Sequence, residues 1–222
     1  GEKFKTIKSK GIFYKCKKCG LVSIDNFEIV QNAKEYYSST YYPEGFSGRI
    51  NLKEAFLYRL PAIFQFFKKD EEVLEIVSAS GDFLNIIKGL GYKVRGVELS
   101  SRAVEKAKNI YGLDLFCGTL EGAHFLDDSF QNVMSYHVLE HLVDVRGFLK
   151  EVYRIMKPKG VFLIEIPNPN SVDGYFSRDL MGSILDYPNH NFAFPPRVLK
   201  ALLVEAGFEI VYTEKSFSYL LS

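Results

Sequence analysis

Long apolar runs are missing from this 222-residue chain. No stretch approaches the roughly 20 consecutive apolar residues of a membrane-spanning helix, and no signal peptide is visible. Cysteine is scarce. Three residues, two of them in one C-x-x-C pair, cannot build a disulfide framework, and the chain reads as cytoplasmic. A charge surplus is lacking too: 28 Lys and Arg face 27 Asp and Glu, so no global field points to nucleic acid or an acidic membrane. Internal repeats, low-complexity tracts and a G-x-G-x-x-G dinucleotide fingerprint are also absent, which weakens a dehydrogenase reading. What is there is 47% hydrophobic and 25% charged, enough apolar material for one α/β domain with a modest appendage.

The appendage is expected over residues 1–47. Lys3, Lys5, Lys8, Lys10, Lys15, Lys17 and Lys18 crowd its start, a pattern of a solvated arm. The chain opens on Gly1, which suggests a natural start upstream. Ile12 to Val22 reads as strand, Cys16-Lys17-Lys18-Cys19-Gly20 knuckle and return strand. Two thiolates at that spacing can clasp one zinc ion, but structural zinc takes four ligands, so Cys16 and Cys19 form half a zinc ribbon. Between Glu35 and Phe46 lie five aromatic residues, suited to covering a pocket or to packing the extension on the main domain. A helix is expected over 49–69, bent or split at Pro61.

From Val73 onward, strands and helices alternate. Strands are expected at 73–77, 92–98, 113–117, 130–136, 161–166 and 208–214. Helices are expected at 82–90, from Ser100 or Ser101, at 145–156 and at 196–206, with a turn at Lys157-Pro158-Lys159-Gly160. Repeated βα units of this length predict a Rossmann-like, doubly wound, mostly parallel sheet with helices on both faces over 48–222. Ligands of such sheets bind at the carboxyl ends of the strands. There the sequence places Ser78-Ala79-Ser80-Gly81, Glu98, Gly118-Thr119, Tyr136-His137 and Pro167-Asn168. An acidic residue ending the second strand can accept both hydroxyls of a ribose. His137-Val138-Leu139-Glu140-His141 also spells the H-x-x-E-H metal pattern. That motif needs a helix, whereas His137 ends a strand, and structural duty for His141 is the simpler expectation.

The ordered series Val73–Leu84, Val94–Ser100, Ser129–Leu142 and Leu149–Pro167 resembles the class I S-adenosylmethionine-dependent methyltransferases, in their small-molecule branch. The resemblance covers about 45 to 214, and the Cys16–Val22 start resembles a zinc-ribbon extension that some of these enzymes carry. It implies S-adenosyl-L-methionine as cofactor and roles residue by residue. Glu75 would orient the loop and the cofactor's amino end. The backbone of Val77, Ser78, Ala79 and Gly81 would line the methionine moiety, and Glu98 would hold the ribose hydroxyls with Leu99 beside the adenine. Thr119 and Leu120 would border the adenine, and Tyr136 and His137 would face the sulfonium. Val77 and Ala79 stand where the family has glycines. Because β-branched residues tolerate positive φ poorly, either the loop takes another path or cofactor affinity is lost.

Methylating a hydroxyl requires a base. His190, in the insertion where this family builds its acceptor pocket, is the first candidate, with His137 and His141 as alternatives; Tyr175, Phe176, Tyr187 and Phe192 would shape that pocket. The expected partner is a small organic acceptor, a sugar or other hydroxyl-bearing metabolite, rather than nucleic acid or membrane. The alternative is a non-catalytic binding protein on the same fold. The sequence fixes no oligomeric state.

Overall fold

The computed structural model describes residues 12–25, 56–169 and 189–214, and the backbone of 2–4. The aromatic stretch 35–46, residues 49–55, Tyr175, Phe176, Tyr187 and the expected last strand at 216–222 lie outside the described residues. In chain order the elements are β1 Glu2–Phe4, β2 Phe13–Lys15, β3 Val22–Ile24, α1 Leu60–Phe66, β4 Val73–Ile76, α2 Asp82–Gly89, β5 Val94–Glu98, α3 Ser101–Tyr111 and β6 Phe116–Cys117. They continue with β7 Phe130–Tyr136, α4 Val145–Ile155, β8 Met156–Glu165, β9 Phe192–Ala193 and α5 Pro196–Glu205. Single 3-10 turns lie at Glu121–Ala123 and Leu139–His141.

Two compact units result. One gathers the described residues of 34–135, 154–164 and 211–214; the other those of 2–25, 136–153 and 165–210. The first holds a five-stranded sheet in the order β6-β5-β4-β7-β8. β4 pairs in parallel with both β5 and β7, and β5 with β6, the mixed α/β, Rossmann-like arrangement expected. β4 is buried along its whole length, which is why Val73, Leu74 and Ile76 read as a continuous apolar run rather than an alternation. α2 turns Phe83, Leu84 and Ile87 inward. Each such side chain contributes about 1.5–3 kcal/mol on burial. Ser100 caps α3 by accepting from the Ala103 N–H, and Gly112, at φ +60, ends it. Pro61 sits in the first turn of α1, where its missing N–H costs nothing.

Several boundaries differ from expectation. β8 begins at Met156 instead of 161, with the expected turn folded into it: Lys159 takes φ +61, and its carbonyl accepts from Gln131 Nε2 at 2.7 Å. β6 is shorter than 113–117, since Leu113 and Leu115 bury themselves without joining a ladder. Residues 208–214 alternate like a strand, yet among the described residues no strand pairs with them. A strand exists only by its ladder, and here ring contacts take over. Phe208 meets Tyr153 edge-on at 5.2 Å, and Tyr212 lies 5.3 Å from Phe66.

The second unit contains a four-stranded sheet in the order β1-β2-β3-β9, antiparallel throughout. Strand, knuckle and return strand form as expected. The fourth strand, β9, comes from far beyond residue 47. The N-terminal extension therefore completes its sheet with residues near the end of the insertion.

Candidate functional site

The loop after β4 is organised by one carboxylate. Glu98, at the end of β5, is 1% exposed and accepts from the Ala79 N–H through Oε2 and from the Ser100 N–H through Oε1, both at 2.8 Å. Burial pushes its carboxyl up, and the N–H donors of Ser100, Ala79 and Leu99 pull it back. Two bonds leave an ionised carboxylate further lone pairs. Ser78 fixes the loop's other wall: its N–H reaches the Val97 carbonyl and its Oγ donates to the Glu75 carbonyl. Gly96 lets β5 lie this close, because a Cβ there would stand 2.5 Å from Ser78 Oγ and 2.6 Å from Leu115.

The backbone runs through the left-handed region three times, at Val77 (φ +61), Ala79 (φ +48) and Gly81 (φ +74). The two substituted positions thus keep a glycine-like path, at a cost of about 1–2 kcal/mol per L-residue. Beyond Gly81, Ser80 Oγ donates to Asp82, whose other oxygen accepts from Tyr111 OH at 2.6 Å. That bond pushes the Tyr111 phenol up to about 12.

Glu75 lies beneath the loop in β4, buried, with Oε2 lacking a hydrogen-bond partner. Burial drives its carboxyl up to about 8; the Arg59 charge opposes this, while Glu98 and Asp82 add to it. Arg59 is a residue that sequence reasoning missed. Its guanidinium lies 5.3 Å from the ring centres of Phe56 and Tyr58 and 5.7 Å from Phe83. Leu99 is half-buried, Leu120 is buried, and exposed Thr119 accepts from the Gly122 N–H. Gln131 and Asn132 are structural: Asn132 exchanges hydrogen bonds with both backbone groups of Lys68.

The second unit brings three of the four histidines into one cluster. β7 ends at Tyr136, and His137 follows with φ +56. The His137 ring bridges two carboxylates, Nε2 to Glu165 at 2.9 Å and Nδ1 to Glu140 at 3.3 Å. Burial works against its charge, but the two carboxylates outweigh it and hold the ring up at about 9. His137 is therefore an imidazolium near neutral pH and a poor base. His141 sits on the following 3-10 turn, and its Nδ1 is 2.8 Å from the Asn189 carbonyl. Burial pulls its pKa down, Glu140 opposes that, and the charges of His190 and His137 reinforce it.

His190 is buried and meets His141 edge-on, ring centres 4.7 Å apart. Asn191 locks the two segments together. Its N–H donates to the Glu140 carbonyl and its Nδ2 to the His141 carbonyl, each at 2.7 Å, while its own carbonyl accepts from the Ile24 N–H. Donor atoms of Glu140, His141 and His190 all lie within 4.8 Å of one another. Glu140 and Asn191 were not anticipated as site residues; the H-x-x-E-H pattern was the signal for Glu140, though its helical requirement does not apply on a 3-10 turn.

Cys16 and Cys19 form the expected knuckle. Gly20 at φ +74 donates to the Cys16 carbonyl, and bonding from Cys19 and Lys18 brings the Cys16 thiol down to about 7. Among the described residues no third ligand joins the pair, and Arg197 donates to the Cys19 carbonyl beside it.

Comparison with known proteins bears on this arrangement. A family model described as a methyltransferase domain matches residues 49–213. A Mycolicibacterium smegmatis protein named as a probable S-adenosylmethionine-dependent methyltransferase is 29% identical over 140 residues, 63% of this chain and 52% of its own length. A ubiquinone biosynthesis O-methyltransferase of Bradyrhizobium diazoefficiens is 31% identical over 105 residues, 44% of this chain and 40% of its own. The chain spans about half the length of the curated relatives it matches. Among solved structures, a Thermotoga maritima SAM-dependent methyltransferase, possible histamine N-methyltransferase, superposes with TM-score 0.59 at 25% identity, covering 82% of this chain and 78% of that one. No helix among the described residues is long and apolar enough to cross a membrane. With the family model spanning most of the chain and the β4 loop folded along its glycine-type path, the chain belongs to the class I S-adenosylmethionine-dependent methyltransferases.

Proposed function

We propose that this chain transfers a methyl group from S-adenosyl-L-methionine to a hydroxyl oxygen of a small organic acceptor, a sugar or similar metabolite. The observation that carries the reading is the Glu98 carboxylate gathering the Ala79 and Ser100 N–H groups around a left-handed loop. Its remaining lone pairs suit ribose hydroxyls. The orphaned Oε2 of Glu75 suits the cofactor's ammonium group, which would return that carboxyl to its ionised form. The backbone of Val77, Ser78, Ala79 and Gly81 lines the methionine moiety, Leu99, Thr119 and Leu120 border the adenine, and Tyr136 and His137 face the sulfonium. Bound there, the cofactor supplies an electrophilic methyl. The chain's part is to hold the acceptor oxygen within about 3–3.5 Å of it, exclude water and remove the hydroxyl proton. The Glu140–His141–His190 group, with His190 first among the histidines, serves that last step. The O-methyltransferase named among the relatives supports an oxygen nucleophile.

A non-catalytic binding protein is the second reading, favoured only by Val77 and Ala79. Thermal denaturation with S-adenosylhomocysteine at 100 times its dissociation constant should show about 2.7 kcal/mol of stabilisation, a rise of roughly 5–10 °C. No rise at millimolar ligand would remove cofactor binding. A rise without turnover on any hydroxyl-bearing acceptor panel would favour the binding protein.

A further inference from the structure

We propose that Glu140, His141 and His190 bind a first-row divalent transition-metal cation. Their donor atoms already lie within 4.8 Å of one another. Ligands at about 2.0–2.2 Å from a shared tetrahedral ion stand about 3.3–3.6 Å apart, so side-chain rotations that draw the widest pair in by about 1 Å or slightly more close the site. Glu140 is 1% exposed and takes no hydrogen bond on Oε2, while its Oε1 faces the His137 ring at 3.3 Å. A carboxylate that deep with one long contact to an imidazole is still costly, and a metal cation supplies what further hydrogen bonds do not.

The surroundings are arranged as metal sites arrange them. His141 directs Nδ1–H to the Asn189 carbonyl, which makes Nε2 its lone-pair nitrogen. Asn191 ties its own segment to the backbone of both Glu140 and His141, fixing the ligands before any ion arrives. Two imidazoles and one carboxylate select Zn²⁺, Mn²⁺, Fe²⁺ or Co²⁺ over Mg²⁺ and Ca²⁺, and three protein ligands leave positions open. This site is separate from the Cys16–Cys19 knuckle. On the methyltransferase reading above, an open position takes the acceptor hydroxyl. The cation then lowers that hydroxyl's proton affinity, its proton passes to water, and the oxygen keeps the electron pair for the methyl group. His141 and His190 act in this scheme as ligands, and the cation does the base's work.

The test uses the full chain, tag removed and stripped with EDTA, carrying Cys16→Ser and Cys19→Ser so that only the proposed site can respond. Titration with Co²⁺ alone should give one ion per chain, with visible d–d absorption of nitrogen and oxygen ligation. Glu140→Gln and His190→Ala in that background should each weaken binding by about 100-fold or more. Circular dichroism and S-adenosylhomocysteine calorimetry on the metal-free proteins report folding and cofactor binding independently. Retained homocysteine-ligand binding without any Co²⁺ site overturns the metal and leaves the methyltransferase reading intact. Co²⁺ binding that survives both substitutions overturns the assignment of ligands. A Co²⁺ site in a chain that ignores the cofactor keeps the metal and removes its role in methyl transfer.

Discussion

Glu98 and Glu140 are equally buried, each 1% exposed, and the chain treats them in opposite ways. Glu98 takes a backbone N–H on each oxygen, both from residues within about one loop of it, so its cost of burial is met inside the cofactor region itself. Glu140 takes none. Its neighbours are histidines brought in from residues 137, 141 and 190, and two of the three can ligate rather than donate. A carboxylate satisfied by backbone is a finished frame waiting for a neutral polar ligand such as a ribose. One that lacks backbone donors and leans on the His137 ring at 3.3 Å is unfinished, and a further positive charge completes it.

That contrast predicts a double dissociation, the largest effect expected. Glu98→Gln replaces one acceptor oxygen with a donor, leaving a backbone N–H unmatched and a ribose acceptor missing. S-adenosylhomocysteine affinity should fall by about 100-fold, and Co²⁺ affinity should stay put. Glu140→Gln should do the reverse. Calorimetry with each ligand on each variant checks it, and a variant that damages both affinities alike would break the contrast.

The next largest effects appear in pH titrations of stability. Glu75 and His137 both have folded pKa values raised above their ordinary ones, to about 8 and about 9. In each case the folded state holds the proton longer, so stability falls as pH rises through the window. For Glu75 the window runs from about 4.5 to 8, and the chief cause is burial, which the Arg59 charge opposes and the Glu98 and Asp82 charges reinforce. Glu75→Gln mimics the protonated form and should remove that slope, gaining on the order of 3 kcal/mol at pH 8. For His137 the window runs from about 6.5 to 9, and the cause is pairing with Glu140 and Glu165. His137→Gln should cost on the order of 1 kcal/mol at pH 6, the ring being 33% exposed and partly screened, and nothing above pH 9. Urea melts across pH 5–9 measure both. Parallel slopes in wild type and Glu75→Gln would show that Glu75 is ionised in the native state.

How much of this was legible in the sequence follows the same division. β4, β7, α2, α3 and the cap at Ser100 could be read because each depends on residues adjacent in the chain. The frame around Glu98 depends on Ala79 and Ser100, still local to two consecutive βα turns. The histidine cluster could be named residue by residue but not assembled. Its assembly needs Asn191 to bond back across fifty positions to His141, and no periodicity encodes that. Arg59 was invisible for a similar reason: its cradle of Phe56, Tyr58 and Phe83 spans two elements. The 208–214 segment misled because alternation specifies a face to bury, not a neighbour to pair with.

The smallest effect tests the one local rule the cofactor loop breaks. Val77 sits at φ +61 with its side chain 39% exposed, so it carries left-handed strain while contributing little burial. Val77→Gly should release about 1–2 kcal/mol of strain and lose about 0.5–1 kcal/mol to chain entropy. The net gain is about 0.5–1 kcal/mol, a rise in Tm of roughly 1–4 °C. Ala79→Gly should gain less, since Ala tolerates φ +48 better than a β-branched residue does. His137, at φ +56 in the other region, offers the control. There glycine relieves the same kind of backbone strain but deletes a ring held by two carboxylates, so His137→Gly should destabilise at pH 6. Opposite signs at one backbone conformation would mean that strain in the loop is incidental and strain in the cluster is held in place by its contacts. A loss of stability in Val77→Gly would instead make the valine side chain part of the loop's packing.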